Sequence, residues 1–172
     1  MYFTIKQQVK HLSKAQYCIL KELCHTAKNL ANQAIYNVRQ HYFEHGTYLT
    51  YKENYHLLKT SENYQLLNAN MAQQILKEVD GSFQSFFCLL KAKQNGTYQK
   101  QVKLLHYLDK DGFTTLVIGF VRVKENSWVL PYSNAYRKKH ERISFSLPPL
   151  LKGKTIKEIR IIPKNHGRFF EL

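Results

Sequence analysis

Apolar residues recur at steps of three and four along residues 70–93, NMAQQILKEVDGSFQSFFCLLKAK. Ala72, Ile75, Leu76, Val79, Phe83, Phe86, Phe87 and Leu90 share one broad face. That is the period of an α-helix packed by one side. The opposite face carries Gln73, Gln74, Lys77, Gln84 and Lys91, with very little acid. A cap near Asn68 or Asn70 opens this segment, and Asn95-Gly96 ends it. A longer helix is predicted upstream. Ser13 and Gln16 form a capping box, apolar positions run from Leu20 to Tyr42, and Gly46 is the stop. At about 1.5 Å per residue that helix is roughly 45 Å long. Thr50 and Glu53 form a second capping box, opening a shorter helix through Lys59. Residues 62–68 read equally as a short helix or a loop.

Around the helices the period changes. Residues 2–9 alternate, with Phe3, Ile5 and Val9 on one side and Thr4, Lys6 and Gln8 on the other, which predicts a strand. After Gly96 come further β-rich runs at 113–121, 127–130, 142–147, 156–162 and 168–172. Asp111-Gly112, Pro148-Pro149, Gly153 and Asn165-His166-Gly167 supply turns between them. An isolated strand is not stable, so residues 2–9 are predicted to pair with the later strands. The expected fold class is therefore α+β: a small β-barrel interrupted by a helical-bundle insertion. Residues 1–10 give its first strand, 11–96 the helices and 97–172 the rest of the barrel.

Composition narrows the partners. The chain has 172 residues, 26 Lys and Arg against 12 Asp and Glu, and a formal charge of +14. Residues 1–93 carry 11 basic and 6 acidic side chains; residues 94–172 carry 15 and 6. Such an excess favours a polyanion, with the denser footprint in the second half. Apolar content of 44% marks a folded chain. No apolar run of about 18 residues spans a bilayer, and the start lacks the apolar core of a signal peptide. A cytoplasmic, membrane-free protein is expected. Cys18, Cys24 and Cys88 sit in helical patterns without CxxC spacing, which reads as free, mostly buried thiols.

No catalytic pattern stands out. GxSxG, Walker and Gly-rich dinucleotide motifs are missing, and most acids fall on helix faces or beside a turn. His41 and His45 are four apart, but HYFEH is not HExxH and no third ligand is apparent. No catalytic residue and no metal ligand is therefore assigned. Nucleic-acid binding fits better. Twelve Tyr and ten Phe lie among the cations, and exposed aromatics stack on bases while cations neutralise phosphates. Tyr51 and Tyr55, four apart, share a face. Gln73 and Gln74 have the amide chemistry that pairs with base edges, and Lys77 lies beside them. Arg137, Lys138 and Lys139 head the one dense charge run, RKKHER.

Four blocks, MAQQILKEVDGSFQSFF, KLLHYLDKDGFTTLVI, VLPYS and IKEIRIIPKNHGRFFEL, follow one another along the chain. Their succession resembles the amino-terminal half of TnpB proteins, the OrfB transposases of bacterial and archaeal insertion sequences and relatives of type V CRISPR nucleases. The resemblance implies an OB-like wedge barrel that binds the scaffold of a guide RNA. It also implies a helical recognition insertion that flanks the guide–target heteroduplex. Guide RNA and target DNA are the implied partners. The family's positions that read the motif beside the target fall on Tyr51, Tyr55, Asn70 and Gln73. Tyr51 and Gln73 match by residue type, Tyr55 and Asn70 by position.

The chain departs from the family in two ways. Leu105 stands where the family often has proline. The RuvC-type nuclease and its inserted zinc ribbon, which would use divalent metal and zinc, have no counterpart here. The expectation is a nucleic-acid-binding module with no cofactor of its own, truncated before the nuclease. Two alternatives stand beside it. One is a split nuclease completed in trans by a separately encoded nuclease half. The other is a helical protein–protein interaction module that pairs through its Phe-rich face.

Overall fold

Both capping boxes form. In the computed structural model, which describes residues 3–172, the Ser13 hydroxyl accepts from the Gln16 N–H and the Gln16 amide accepts from the Ser13 N–H, each at 3.1 Å. They open helix α1, Lys14–His45, which ends where Gly46 turns left-handed (φ +67°) and donates to the Tyr42 carbonyl. The Thr50–Glu53 box opens α2, Tyr51–Leu58. The ambiguous stretch resolves as a short helix, α3, Glu62–Leu66, capped by Ser61. Asn68 then caps α4, Ala69–Gln94, by accepting from the Asn70 N–H at 3.0 Å.

The two long helices pack side by side. From α1, Leu20, Leu23, Cys24, Leu30, Ile35 and Val38 are buried, separated by the small residues Ala27, Ala31 and Ala34. From α4, Met71, Ala72, Ile75, Leu76, Val79, Phe83 and Phe86 are buried. Alanines on a packing stripe let helix axes approach closely. The Phe-rich end of α4 is covered from within, since Phe87 packs against Tyr42 (5.0 Å between ring centroids) and Tyr48 (5.3 Å). That face is internal to the chain.

Six strands follow: β1 (Leu116–Ile118), β2 (Val123–Lys124), β3 (Ser127–Val129), β4 (Ser144–Ser146), β5 (Ile159–Lys164) and β6 (Phe169–Glu171). They form two antiparallel three-stranded sheets, ordered β1-β5-β6 and β2-β3-β4. Residues 7–9 lie antiparallel beside β6: Val9 N–H donates to Phe170 (2.9 Å), and Gln7 and Leu172 exchange both backbone bonds. The beginning of the predicted first strand, residues 1–2, lies outside the described residues. The apolar residues of helices and strands form one continuous core, from Leu20 and Met71 to Ile118, Trp128 and Phe170.

The fold is α+β, but the expected closed barrel is not present. The two sheets are open. They meet where the Gln7 amide donates to the Ser146 carbonyl (3.0 Å), a side-chain bond in place of a backbone ladder. Strands of two and three residues provide too few rungs for the stagger that closure requires. The run 113–121 also yields only three strand residues. Its Thr114 N–H donates to the Cys24 carbonyl of α1, and its Gly119 N–H donates to the Asn70 side chain of α4. Both ends are thus held by helices. Only Cys24 of the three cysteines is buried; Cys18 and Cys88 are exposed, which corrects the expectation of mostly buried thiols.

Between α4 and β1, residues 105–110 run along α1 as a strap. Asn32 donates to the Leu108 carbonyl (2.9 Å) and accepts its N–H (2.8 Å). Arg39 donates to the Leu105 carbonyl (3.3 Å), and the buried Lys28 ammonium donates to Lys110 (2.5 Å). The order is antiparallel: as the strap advances, its partner on α1 recedes. Side-chain donors here do what a neighbouring strand does in a sheet. Replacing Asn32 with Ala removes two of these bonds. We expect a loss of about 1–3 kcal/mol in urea unfolding and faster proteolysis within residues 105–110. Unchanged cleavage at the strap would contradict its anchoring role.

Candidate nucleic-acid interface

An aromatic wall lines the side of α4 that faces α2 and α3. The rings of Tyr51 and Tyr55 stack at 6.3 Å with 27° between planes, and Tyr55 meets Tyr64 edge-on at 5.9 Å. Gln73 of α4 sits beside the Tyr64 hydroxyl. Two turns further along α4, Asp80 accepts from the Tyr48 hydroxyl and from Gln84 (2.7 Å). Gln73, Lys77, Asp80 and Gln84 follow helical spacing, so they form one ridge. Lys77 is exposed between the two anchored residues. The Tyr51 phenol is pushed up first by burial, then by Tyr55 and Asp80; burial also raises Tyr64. Both phenols therefore stay protonated at neutral pH and remain hydrogen-bond donors.

Asn70 and Gln74 occupy a different ridge. The Asn70 side-chain oxygen accepts from the Gly119 N–H at 3.0 Å. A Cβ on Gly119 would stand 2.7 Å from the Gln74 amide nitrogen, so Gln74 lies against this turn and a larger residue there would displace its side chain. The polar face of α4 thus divides. Gln73 sits beside Tyr64, while Asn70 bonds to the turn after β1 and Gln74 lies against it.

The basic run lies at the end of a short helix that the hydrophobic pattern did not disclose, α5, Asn134–Arg137. Its base is rigid. Ser133 donates to the Leu66 carbonyl of α3 (3.1 Å), and Tyr136 donates to Glu22 of α1 (2.7 Å). The Tyr136 ring stacks on His140 at 3.9 Å. Tyr132, which donates to the Glu141 carbonyl, has its phenol pushed up to about 12, chiefly by burial. Arg137, Lys138 and Lys139 are exposed on this base. Through Leu66 and Tyr64, α3 touches both the basic run and the tyrosine wall.

Four of the twelve acids are engaged by neutral groups. Glu22 serves Tyr136, Asp80 serves Tyr48 and Gln84, Glu53 serves Thr50, and Glu141 accepts from Ser13 (3.0 Å). Among the described residues there are two ion pairs, Arg160–Glu158 and Lys164–Glu171, against 26 cations. The positive field comes from the excess of 26 cations over 12 acids, and few of those cations are held in direct ion pairs.

His41 and His45 stack at 4.6 Å and bond locally, His41 with the Thr47 hydroxyl and His45 with the His41 carbonyl. No group of three or more metal-ligating side chains occurs among the described residues. Tyr64 and the Tyr48–Asp80 bond were not singled out from the sequence. Tyr64 lay in the ambiguous stretch, and no spacing rule links residues 32 positions apart.

The Asn70 grip is testable. Asn70→Ala leaves the Gly119 N–H without its acceptor, and we expect about 1–2 kcal/mol of destabilisation by urea unfolding. Asn70→Asp keeps an acceptor and should stay close to wild type. Equal losses in both variants would show that the bond to Gly119 is not what Asn70 supplies.

No protein-family model matches the sequence, and comparison with curated proteins returns no match.

Proposed function

We propose that the chain is a nucleic-acid-binding module, the counterpart of the wedge and recognition parts of a TnpB-like RNA-guided nuclease. The two open sheets take the place of the wedge and the helices that of the recognition insertion. The observation that carries this reading is the net charge of +14, with Arg137, Lys138 and Lys139 exposed on a helix that α3 links to a tyrosine and amide wall. Cations bind phosphates without regard to sequence, while Tyr51, Tyr55 and Gln73 offer stacking faces and an amide edge. Lys77 and the Arg137–Lys138–Lys139 cluster neutralise backbone on either side. Asn70 holds the turn at Gly119, with Gln74 packed beside it, and acts on the ligand only by fixing α4. In this reading guide RNA and target DNA are the partners, and no cleavage step is assigned to these residues.

Salt titration tests the reading. Binding to a stem-loop RNA should weaken steeply with salt. The triple variant Arg137→Ser, Lys138→Ser, Lys139→Ser should flatten the slope of log K against log salt by roughly 2–3, at about 0.7–0.9 per lost contact. Gln73→Ala should leave that slope unchanged while reducing discrimination among duplex DNA sequences. Absence of RNA binding at low salt would overturn the proposal.

A further inference from the structure

On the far side of α1 from α4 lies a cleft of about 520 Å³. Asn29, Gln33, Tyr36, Asn37, Asn63 and Tyr107 line it, over the floor of Leu58. Carboxamides dominate the lining, and it contains no carboxylate and no ammonium group. Part of this polar set is used internally. Asn37 donates to Asn54 (3.0 Å), which in turn donates to the Ala34 carbonyl (3.1 Å). Asn29 donates to the His25 ring (3.4 Å). The Gln33 side-chain oxygen is different: it is buried, yet no hydrogen-bond partner reaches it. A buried acceptor without a donor is costly, at about 1–3 kcal/mol, so the partly buried Gln33 gains by turning its amide into the cleft toward a donor there.

The rim is aromatic. Tyr36 and Tyr107 are 53% and 44% exposed, unusually open for tyrosines on an ordered wall. The Arg39 guanidinium lies 4.7 Å from the Tyr107 ring centre, on the edge of the cleft. Flat exposed rings, a neutral amide floor and a cation at the lip suit a planar, hydrogen-bonding, uncharged ring that carries phosphate beside it. We infer that this cleft receives an unpaired nucleobase, with Gln33 supplying the donor–acceptor pair that reads it and Tyr36 and Tyr107 stacking on its faces. An amide pairs bidentately with adenine, so adenine is the preferred base. The inference rests on the nucleic-acid reading above, but it concerns a different surface from the Tyr51–Gln73 wall.

The test uses the full chain with three probes: a twelve-nucleotide oligoadenylate, an oligouridylate of equal length, and AMP. Wild type should bind oligoadenylate roughly tenfold more tightly than oligouridylate. Gln33→Leu should erase that difference and leave oligouridylate binding unchanged. Tyr36→Ala, at an exposed position that does not threaten the fold, should weaken oligoadenylate by a similar factor. AMP binding that depends on Gln33 while neither oligomer binds would keep the cleft as a free-nucleotide site and overturn the nucleic-acid reading. Oligomer binding with no adenine preference, or with a preference that survives both substitutions, would overturn the cleft and leave the nucleic-acid reading standing.

Discussion

The seam between α1 and α4 is the constraint on which the other parts depend. Alanines 27, 31 and 34 on α1 and Ala72 on α4 keep the stripe narrow, and large apolar residues fill the spaces between them. Once that seam forms, three surfaces are set. One ridge of α4 faces the tyrosines of α2 and α3. A second ridge grips Gly119 and so places β1. The outer side of α1 receives the strap through Asn32, Arg39 and Lys28. The tyrosine wall and the amide cleft both lie on ground prepared by this packing, and neither contributes to the seam itself.

A second consequence concerns charge. Cations outnumber acids by 26 to 12, and Glu22, Asp80 and Glu141 bond to hydroxyls and not to cations. Exposed ion pairs are worth little to stability, so a fold loses little by leaving its cations unpaired. What it gains is a surface potential available to a polyanion. Buried tyrosines such as Tyr136 and Tyr132 meanwhile give the basic run of residues 137–139 a stiff support.

The helices were legible because their signals are local. Ser13–Gln16, Thr50–Glu53 and Gly46 each act within one turn, and the structure uses each of them. The alternation of Ile143, Phe145 and Leu147 was equally local, and all three are buried. The failures share a different cause. The run 113–121 is rich in β-branched and aromatic residues, yet its end amides bond to α1 and α4, which no pattern within the run encodes. Asn70, Gln73 and Gln74 are amides within two turns of one helix, and only tertiary contacts distinguish Gln73, beside Tyr64, from Asn70, bonded to Gly119. The β2–β3 turn was overlooked because Glu125 and Asn126 lack glycine, although both take positive φ as a type I′ turn requires. The barrel was inferred from strand number and spacing, whereas closure depends on strand length and on the Gln7–Ser146 seam.

Hydroxyl-radical footprinting of the chain, alone and with an RNA–DNA hybrid flanked by duplex DNA, tests the central claim most directly, because it reads side chains. The account predicts that reactivity falls at Tyr51 and Tyr55 when the hybrid is added. Exposed Phe169, which lies outside the tyrosine wall, the basic run and the cleft, should keep its reactivity. Unchanged reactivity at Tyr51 and Tyr55 under conditions where the hybrid is bound would contradict the account.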